Sequence, residues 1–299
     1  NKKQAVEAVQ LYKNQGYDLI KAYGSLNEEA LRYIVQEATK LNMPVAKHGP
    51  HGSGSMNSNE LKGLQSFEHV EDIYQGSLNH QFESDLLPTI IDELKSIDVP
   101  VTPTLNIFSQ LTLLSKDKEA HIHKSAEEYT SSIISFEAKH NQVERWLTAS
   151  DKMVLHNQKT LSFLHEITGQ LHKRGVELLV GSDSGVLLSP HGLATHTEMQ
   201  LLLESGLSAF DVLQAATYNA AKALGMDNEI GNISPSLDAD FIFTTSNPLE
   251  NLLVLEQPEA VSKNGVWYEK DELVKMRQQA IKSRSLWQET KTLIEAVFL

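Results

Sequence analysis

Four residues with reactive side chains stand at the C-terminal tips of strand-like runs: Lys21 in DLIKAYG, His48 in MPVAKHG, His69 in SFEHVED and Asp183 in LLVGSDSG. One amine, two imidazoles and one carboxylate form a donor set that can hold hard or borderline metal ions and activate water. Each residue also has a plainer reading. A lysine at a strand tip can snorkel outward or pair with a carboxylate, because an ammonium buried alone is costly. A single histidine there is commonly a structural hydrogen-bonding residue, and an aspartate flanked by glycine is a common N-cap or turn residue. Two histidines at successive strand ends after the lysine favour the ligand reading. Glu68, beside His69, should point to the other face of its strand, toward the surrounding helices.

Apolar runs and amphipathic helices alternate around these residues. Strands are expected near 18–23, 43–48, 66–70, 99–105 and 176–182, the fourth irregular because it contains Pro100 and Pro103. The pattern from Ser25 to Glu28 reads as a capping box opening a helix over 28–41. Short helical signal follows near 60–63, then over 86–97 and through much of 107–173. Alternation of this kind predicts a parallel sheet covered by helices. Candidate residues at the carboxyl ends of several strands favour a (β/α)8 TIM-type barrel, of which five β/α units are counted here and three would be missing. An open doubly wound sheet, which gathers ligands at one switch point, is the alternative.

Two helices are expected next, over 195–205 and 208–224, with Ser208 as N-cap and Gly225 just past the end. A β-rich stretch follows at 231–233, 239–244 and 260–268, with Asn264-Gly265 as a hairpin turn. Residues 272–299 read as helix. The expected division is 1–226 as a partial barrel, 227–270 as part of a small β-domain, and 271–299 as a C-terminal helix.

The bulk properties narrow the functional classes. With 299 residues and 40% apolar content the chain can bury a large core. Its net charge of −13 argues against a nucleic-acid partner, which rewards clustered Lys and Arg. No run of about 18 apolar residues is present to span a membrane. The absence of cysteine removes disulfides, thiolate metal sites and a thiol nucleophile, and it leaves the compartment unassigned. The chain opens at Asn1 on the helical-looking KKQAVEAVQLYKNQG, which carries no information about a leader segment.

Longer motifs add specificity. GSDSG is followed by H-G-x-x-x-H-x-E-M from His191, by A-A-T-x-N-A-A-K-A-L-G from Ala215, and by G-N-I-S-P-S-L-D-A-D from Gly231. Together with Lys21, His48 and His69 these motifs, over residues 15–270, resemble the amidohydrolase superfamily of metal-dependent hydrolases. Ser236 stands where that family's last motif usually has glycine. The pattern is most similar to the imidazolonepropionase-like branch, which includes dipeptidases cleaving Xaa-Pro, Xaa-Arg or Xaa-Lys bonds.

The resemblance implies two divalent metal ions, zinc by preference, bridged by a carbamylated Lys21. It assigns one metal to His48 and His69 and the other to Asp183, which also shuttles the proton. A lysine at position 21 favours the two-metal members over single-metal deaminases. Tyr23, His191 and His196 are expected to touch substrate. The family's His-x-His pair does not occur upstream of Lys21, so the chain reads as the C-terminal two-thirds of such an enzyme, with the C-terminal share of its small β-sandwich.

The implied function is hydrolysis of an amide or peptide C–N bond in a dipeptide or other small molecule, by a homo-oligomer. A hydrolytic deaminase or cyclic-amide hydrolase on the same fold is one alternative. A non-catalytic fragment or scaffold, whose open sheet edges would be a liability, is the other. His121-Ile-His123 lies in a charged helical stretch and reads as a solvated helix face. Gly49–Gly54 lacks the Lys-Ser/Thr of a phosphate-binding loop, and His51 within it reads as an exposed loop residue.

Overall fold

The computed structural model describes residues 1–49, 58–62, 64–124 and 127–297. The chain divides into two compact units, one of residues 1–104, 163–181 and 204–232, the other of 105–162, 182–203 and 233–299.

The first unit is built on a parallel sheet of four strands: β1 (Ile20–Ala22), β2 (Val45–His48), β3 (Ser66–Glu68) and β4 (Val101–Thr102). Their spatial order is their chain order, β1-β2-β3-β4. Lys21 pairs with Ala46, His48 with Glu68 and Phe67 with Val101. The strands are short for identifiable reasons. Pro100 and Pro103 bracket β4 and cannot donate to the ladder, although their carbonyls accept from Phe67 and Val70. The chain then turns at Thr104, whose φ is +54°, and enters a helix at Leu105. The fifth expected strand, over 176–182, is reduced to one parallel bridge between Val101 and Leu178.

Helices Lys2–Asn14, Glu28–Lys40 and Leu87–Ile97 belong to this unit. Leu31, Ile34 and Ala38 fall at helical spacing and are buried. Asn27 caps that helix by accepting from the Ala30 N–H at 2.8 Å, so the cap lies two residues beyond the Ser25 expected from sequence. Ser208 does cap its helix, in a reciprocal box with Asp211. The helix expected over 208–224 breaks at Thr217 into Ala209–Ala216 and Tyr218–Ala223.

In the second unit, Leu111, Leu114, Ile122, Ala138, Val143, Leu187 and Leu188 form a buried cluster. The unit also holds an antiparallel sheet of β5 (Phe241–Phe243), β6 (Ala260–Lys263) and β7 (Val266–Glu269), in that order. Asn264 and Gly265 join β6 to β7 with φ of +52° and +73°, the pair of positive angles that a two-residue hairpin needs. Residues 231–233 form no strand. The C-terminal helical signal resolves into two helices, Lys270–Lys282 and Leu286–Val297. Among the described residues no helix is long and apolar enough to cross a membrane.

Candidate functional site

The sheet register brings three of the sequence-derived residues together. Lys21 lies opposite Ala46, and with a side-chain period of two His48 shares their face. Lys21 is exposed, unlike its buried neighbours Ile20 and Ala22. His69 follows the last residue of β3 with φ of +73°, a left-handed angle uncommon for an L side chain. That turn breaks the strand alternation and swings the imidazole toward its neighbours. Lys21 Nζ stands 3.4 Å from His69 Nε2. The rings of His48 and His69 have centroids 4.3 Å apart, and Tyr23 packs on His48 at 4.5 Å.

The same turn overturns the expectation for Glu68. Its register partner is His48, so it shares the His48 face rather than pointing away, and it accepts from the Ser66 hydroxyl. Strand alternation alone cannot anticipate a left-handed residue at the next position.

Each imidazole is held from behind. His69 is 5% exposed, and its Nδ1 lies 2.7 Å from Thr104 Oγ1. With Lys21 as the donor to Nε2, the ring proton stays on Nδ1 and is donated to Thr104. His48 Nδ1 lies 2.7 Å from Asp72 Oδ2, a close polar contact whose angles fall short of an aligned hydrogen bond. The carboxylate favours a proton on Nδ1 and so leaves Nε2 as the lone-pair nitrogen. Asp72 itself is buried.

Two glycines make room for this arrangement. A Cβ on Gly49 would stand 1.9 Å from Asp72 Oδ2, and one on Gly24 would come within 3.2 Å of His48 Nδ1. Lys47, on the opposite face of β2, is 1% exposed and donates to the carbonyls of His48 and Gly49. Burial pushes its ammonium down to about 8, with Asp72 opposing the shift.

Asp72, Thr104 and Lys47 carried no assignment from sequence, and Glu68 was expected on the other face of its strand. Asp72 had the clearest signal, since it follows His69 within the same acidic run, EHVED.

The remaining sequence-derived residues lie in the second unit. Asp183 is exposed, with φ of +46°. His191 is exposed, and its Nδ1 lies 2.7 Å from Ser184 Oγ. His196 is half-buried on helix Leu193–Glu204. His121 lies on the short helix Glu119–Ile122 with His123 just past its end, as the charged stretch suggested. His121 is not simply solvated, however: it is half-buried, its Nε2 is 2.8 Å from Gln110 Oε1, and burial lowers its pKa. His51 and the loop beyond Gly49 fall outside the described residues. Among the described residues no group of three or more His, Asp and Glu stands ready to hold a metal.

Comparison with known proteins gives a consistent family. The sequence profile of the amidohydrolase family matches residues 20–268. A curated relative, ochratoxinase of Aspergillus niger, is 24% identical over 247 residues, covering 82% of this chain and 41% of its own length. The structure of a bottromycin amidohydrolase aligns with a TM-score of 0.72 at 19% identity, over 95% of this chain and 63% of that one. A Xaa-Pro dipeptidase with methionine bound in its active site aligns at 0.59 and 20% identity, over 90% and 58%. The chain thus spans about two-fifths of the length of that curated relative and under two-thirds of these two structures.

Proposed function

Because the chain belongs to the amidohydrolase family, we propose that it is a metal-dependent hydrolase of amide or peptide C–N bonds, with dipeptides as substrates. The observation that carries this reading is the meeting of Lys21, His48 and His69 at the carboxyl ends of three adjacent parallel strands. The likeness in fold to a Xaa-Pro dipeptidase suggests the substrate class.

The donor chemistry bears on the metal. His48 and His69 each have Nδ1 engaged by a neighbour, which presents Nε2 as the ligating atom, the usual arrangement of a zinc-binding imidazole. Lys21 as an ammonium would repel a cation. As a carbamate, formed when the neutral amine adds to carbon dioxide and releases a proton, it would offer two oxygens. Its exposure leaves the amine open to that reaction, while removing any argument that burial demands it. The set fits divalent metal once Lys21 is carbamylated, and we assign two ions, zinc by preference. When bound, such ions supply Lewis acidity to a carbonyl oxygen and acidify water to a pKa of about 7.

The residues divide the remaining work. Lys21, His48, His69 and Asp183 would hold the metal ions. Asp183 takes a proton from the attacking water and returns it to the amine as the C–N bond breaks. Tyr23, His191 and His196 orient the substrate, His191 with its Nδ1 steadied by Ser184. The unreversed strand order and the parallel bridge at Leu178 support a sheet that forms part of a (β/α)8 barrel. On that reading residues 1–226 belong to the barrel, 227–270 contribute to a small β-sandwich, 271–299 add the C-terminal helical segment, and the protein is a homo-oligomer.

The test is incubation of the purified protein with Xaa-Pro, Xaa-Arg and Xaa-Lys dipeptides, with released amino acids and ammonia both quantified. Release of amino acids that stops on chelation is the expected result. Ammonia in their place would make the protein a deaminase, and neither product would make it non-catalytic.

A further inference from the structure

The segment 182–189 adopts a conformation that its own residues disfavour. Asp183, Leu187 and Leu188 have φ of +46°, +51° and +61°, and Gly185 lies between them at +94°. Three L side chains in the left-handed region within so short a stretch persist only where the surroundings over-determine the backbone. Part of that constraint is local. The Gly185 N–H donates to the Ser189 carbonyl at 2.8 Å, and the Ser189 N–H returns a bond to Val186 at 3.0 Å. Leu187 and Leu188 are buried in the apolar cluster, and the Leu187 N–H donates to Gln142 Oε1 at 2.9 Å.

A further tie, joining both ends of the segment, comes from one side chain. Asn106 is 0% exposed, and its Nδ2 donates to the Ser182 carbonyl at 3.1 Å and to Ser189 Oγ at 2.7 Å. These are the two ends of the segment. The amide orientation follows from chemistry, since the Ser182 carbonyl can only accept and must face the NH2 group. Asn106 is itself fixed by Glu198, also 0% exposed. The two oxygens of that carboxylate accept the N–H of Leu105 at 3.0 Å and of Asn106 at 2.7 Å. Those N–H groups open helix Leu105–Asp117, where the helix dipole favours an anion. Glu198 stands on helix Leu193–Glu204, which also carries His196.

We propose that Asn106 and Glu198 are positioning residues that set the shape of the Asp183 segment. Glu198 fixes the backbone at 105–106, and Asn106 then ties Ser182 to Ser189 and holds Asp183 between them at its left-handed angle. The inference rests on the catalytic reading of Asp183 above. Neither residue touches the reacting atoms, and their effect is on geometry.

Asn157 supplies a matched control. It is also a buried asparagine of the same unit, 3% exposed, and its Nδ2 donates to Ser115 Oγ at 3.1 Å, away from the segment. Amide hydrogen exchange over 183–189 is compared for wild type, N106A and N157A, together with kcat and KM for a Xaa-Pro dipeptide. S189A, which removes one tie and leaves Asn106 in place, covers the case in which N106A fails to fold. The expected result is exchange about tenfold faster in N106A than in N157A, and a smaller rise in S189A. With it comes a fall in kcat of about a hundredfold at nearly constant KM.

Equal exchange over 183–189 in N106A and N157A would overturn the proposal. So would faster exchange with kcat unchanged. Should wild type hydrolyse no dipeptide, the functional reading fails by itself, and the exchange comparison still upholds or overturns the clamp.

Discussion

The cluster at the end of the parallel sheet and the segment around Asp183 solve the same problem in different ways. Lys21 and His48 are placed by backbone register, and Ala46 across from Lys21 sets the face they share. Only His69 needs a strained angle, and Thr104, itself at a φ of +54°, holds its ring. Asp183 has no strand to place it. Its segment contains three left-handed L residues and relies on buried side chains from distant parts of the chain, Asn106 and Glu198 lying 92 positions apart. Register tolerates substitution wherever the ladder survives, whereas a side-chain clamp fails with the loss of one donor.

The comparison can be broken most forcefully at Gly49. A methyl group there would stand 1.9 Å from Asp72 Oδ2, at a backbone φ of +66° that already disfavours L residues. Gly49→Ala should cost about 3 kcal/mol in urea unfolding, and a cost below about 0.5 kcal/mol would show that Asp72 has room to move.

Asp72→Asn is the next step down. It keeps the shape and removes the charge facing His48 Nδ1, and should weaken retention of divalent metal about 10–100-fold in a chelator competition. Unchanged retention would mean that the contact does not orient His48. Thr104→Val then removes the partner of His69 Nδ1 at nearly constant volume and should cost about 1 kcal/mol in the same unfolding assay. A neutral result would place the control of His69 in its backbone alone.

The smallest effect is a pH dependence in the other unit. Burial lowers the pKa of His121 from 6.5, so the folded state prefers the neutral ring. Below pH 6.5 the unfolded chain binds the proton first, and stability falls as the solution is acidified toward the folded-state pKa. His121→Gln should flatten that part of the stability profile, and an unaltered slope would assign it to other groups.

Much of the sheet was legible in the sequence, and so was the meeting of Lys21, His48 and His69 at its end, because strand tips carrying them recur with one β/α unit between them. The lengths of the strands were less legible. Prolines shorten β4, and the run 176–182 keeps only the pairing at Leu178. Thr104 and Asp72 were missed, and Glu68 was read onto the wrong face, because their placement depends on pairing across strands and on a left-handed turn at His69 that reverses the face of one residue. The H-x-E-M motif contains Glu198 without revealing its use. A carboxylate that accepts two backbone N–H groups some 90 residues away leaves no local periodicity to read.

The most direct measurement is the divalent metal content of the purified protein, by elemental mass spectrometry, for wild type against a folded His48→Ala/His69→Ala variant. The account predicts metal bound to wild type and lost from the variant. Equal content in the two proteins, including none in either, would contradict the assignment of the sheet-end cluster as a metal centre.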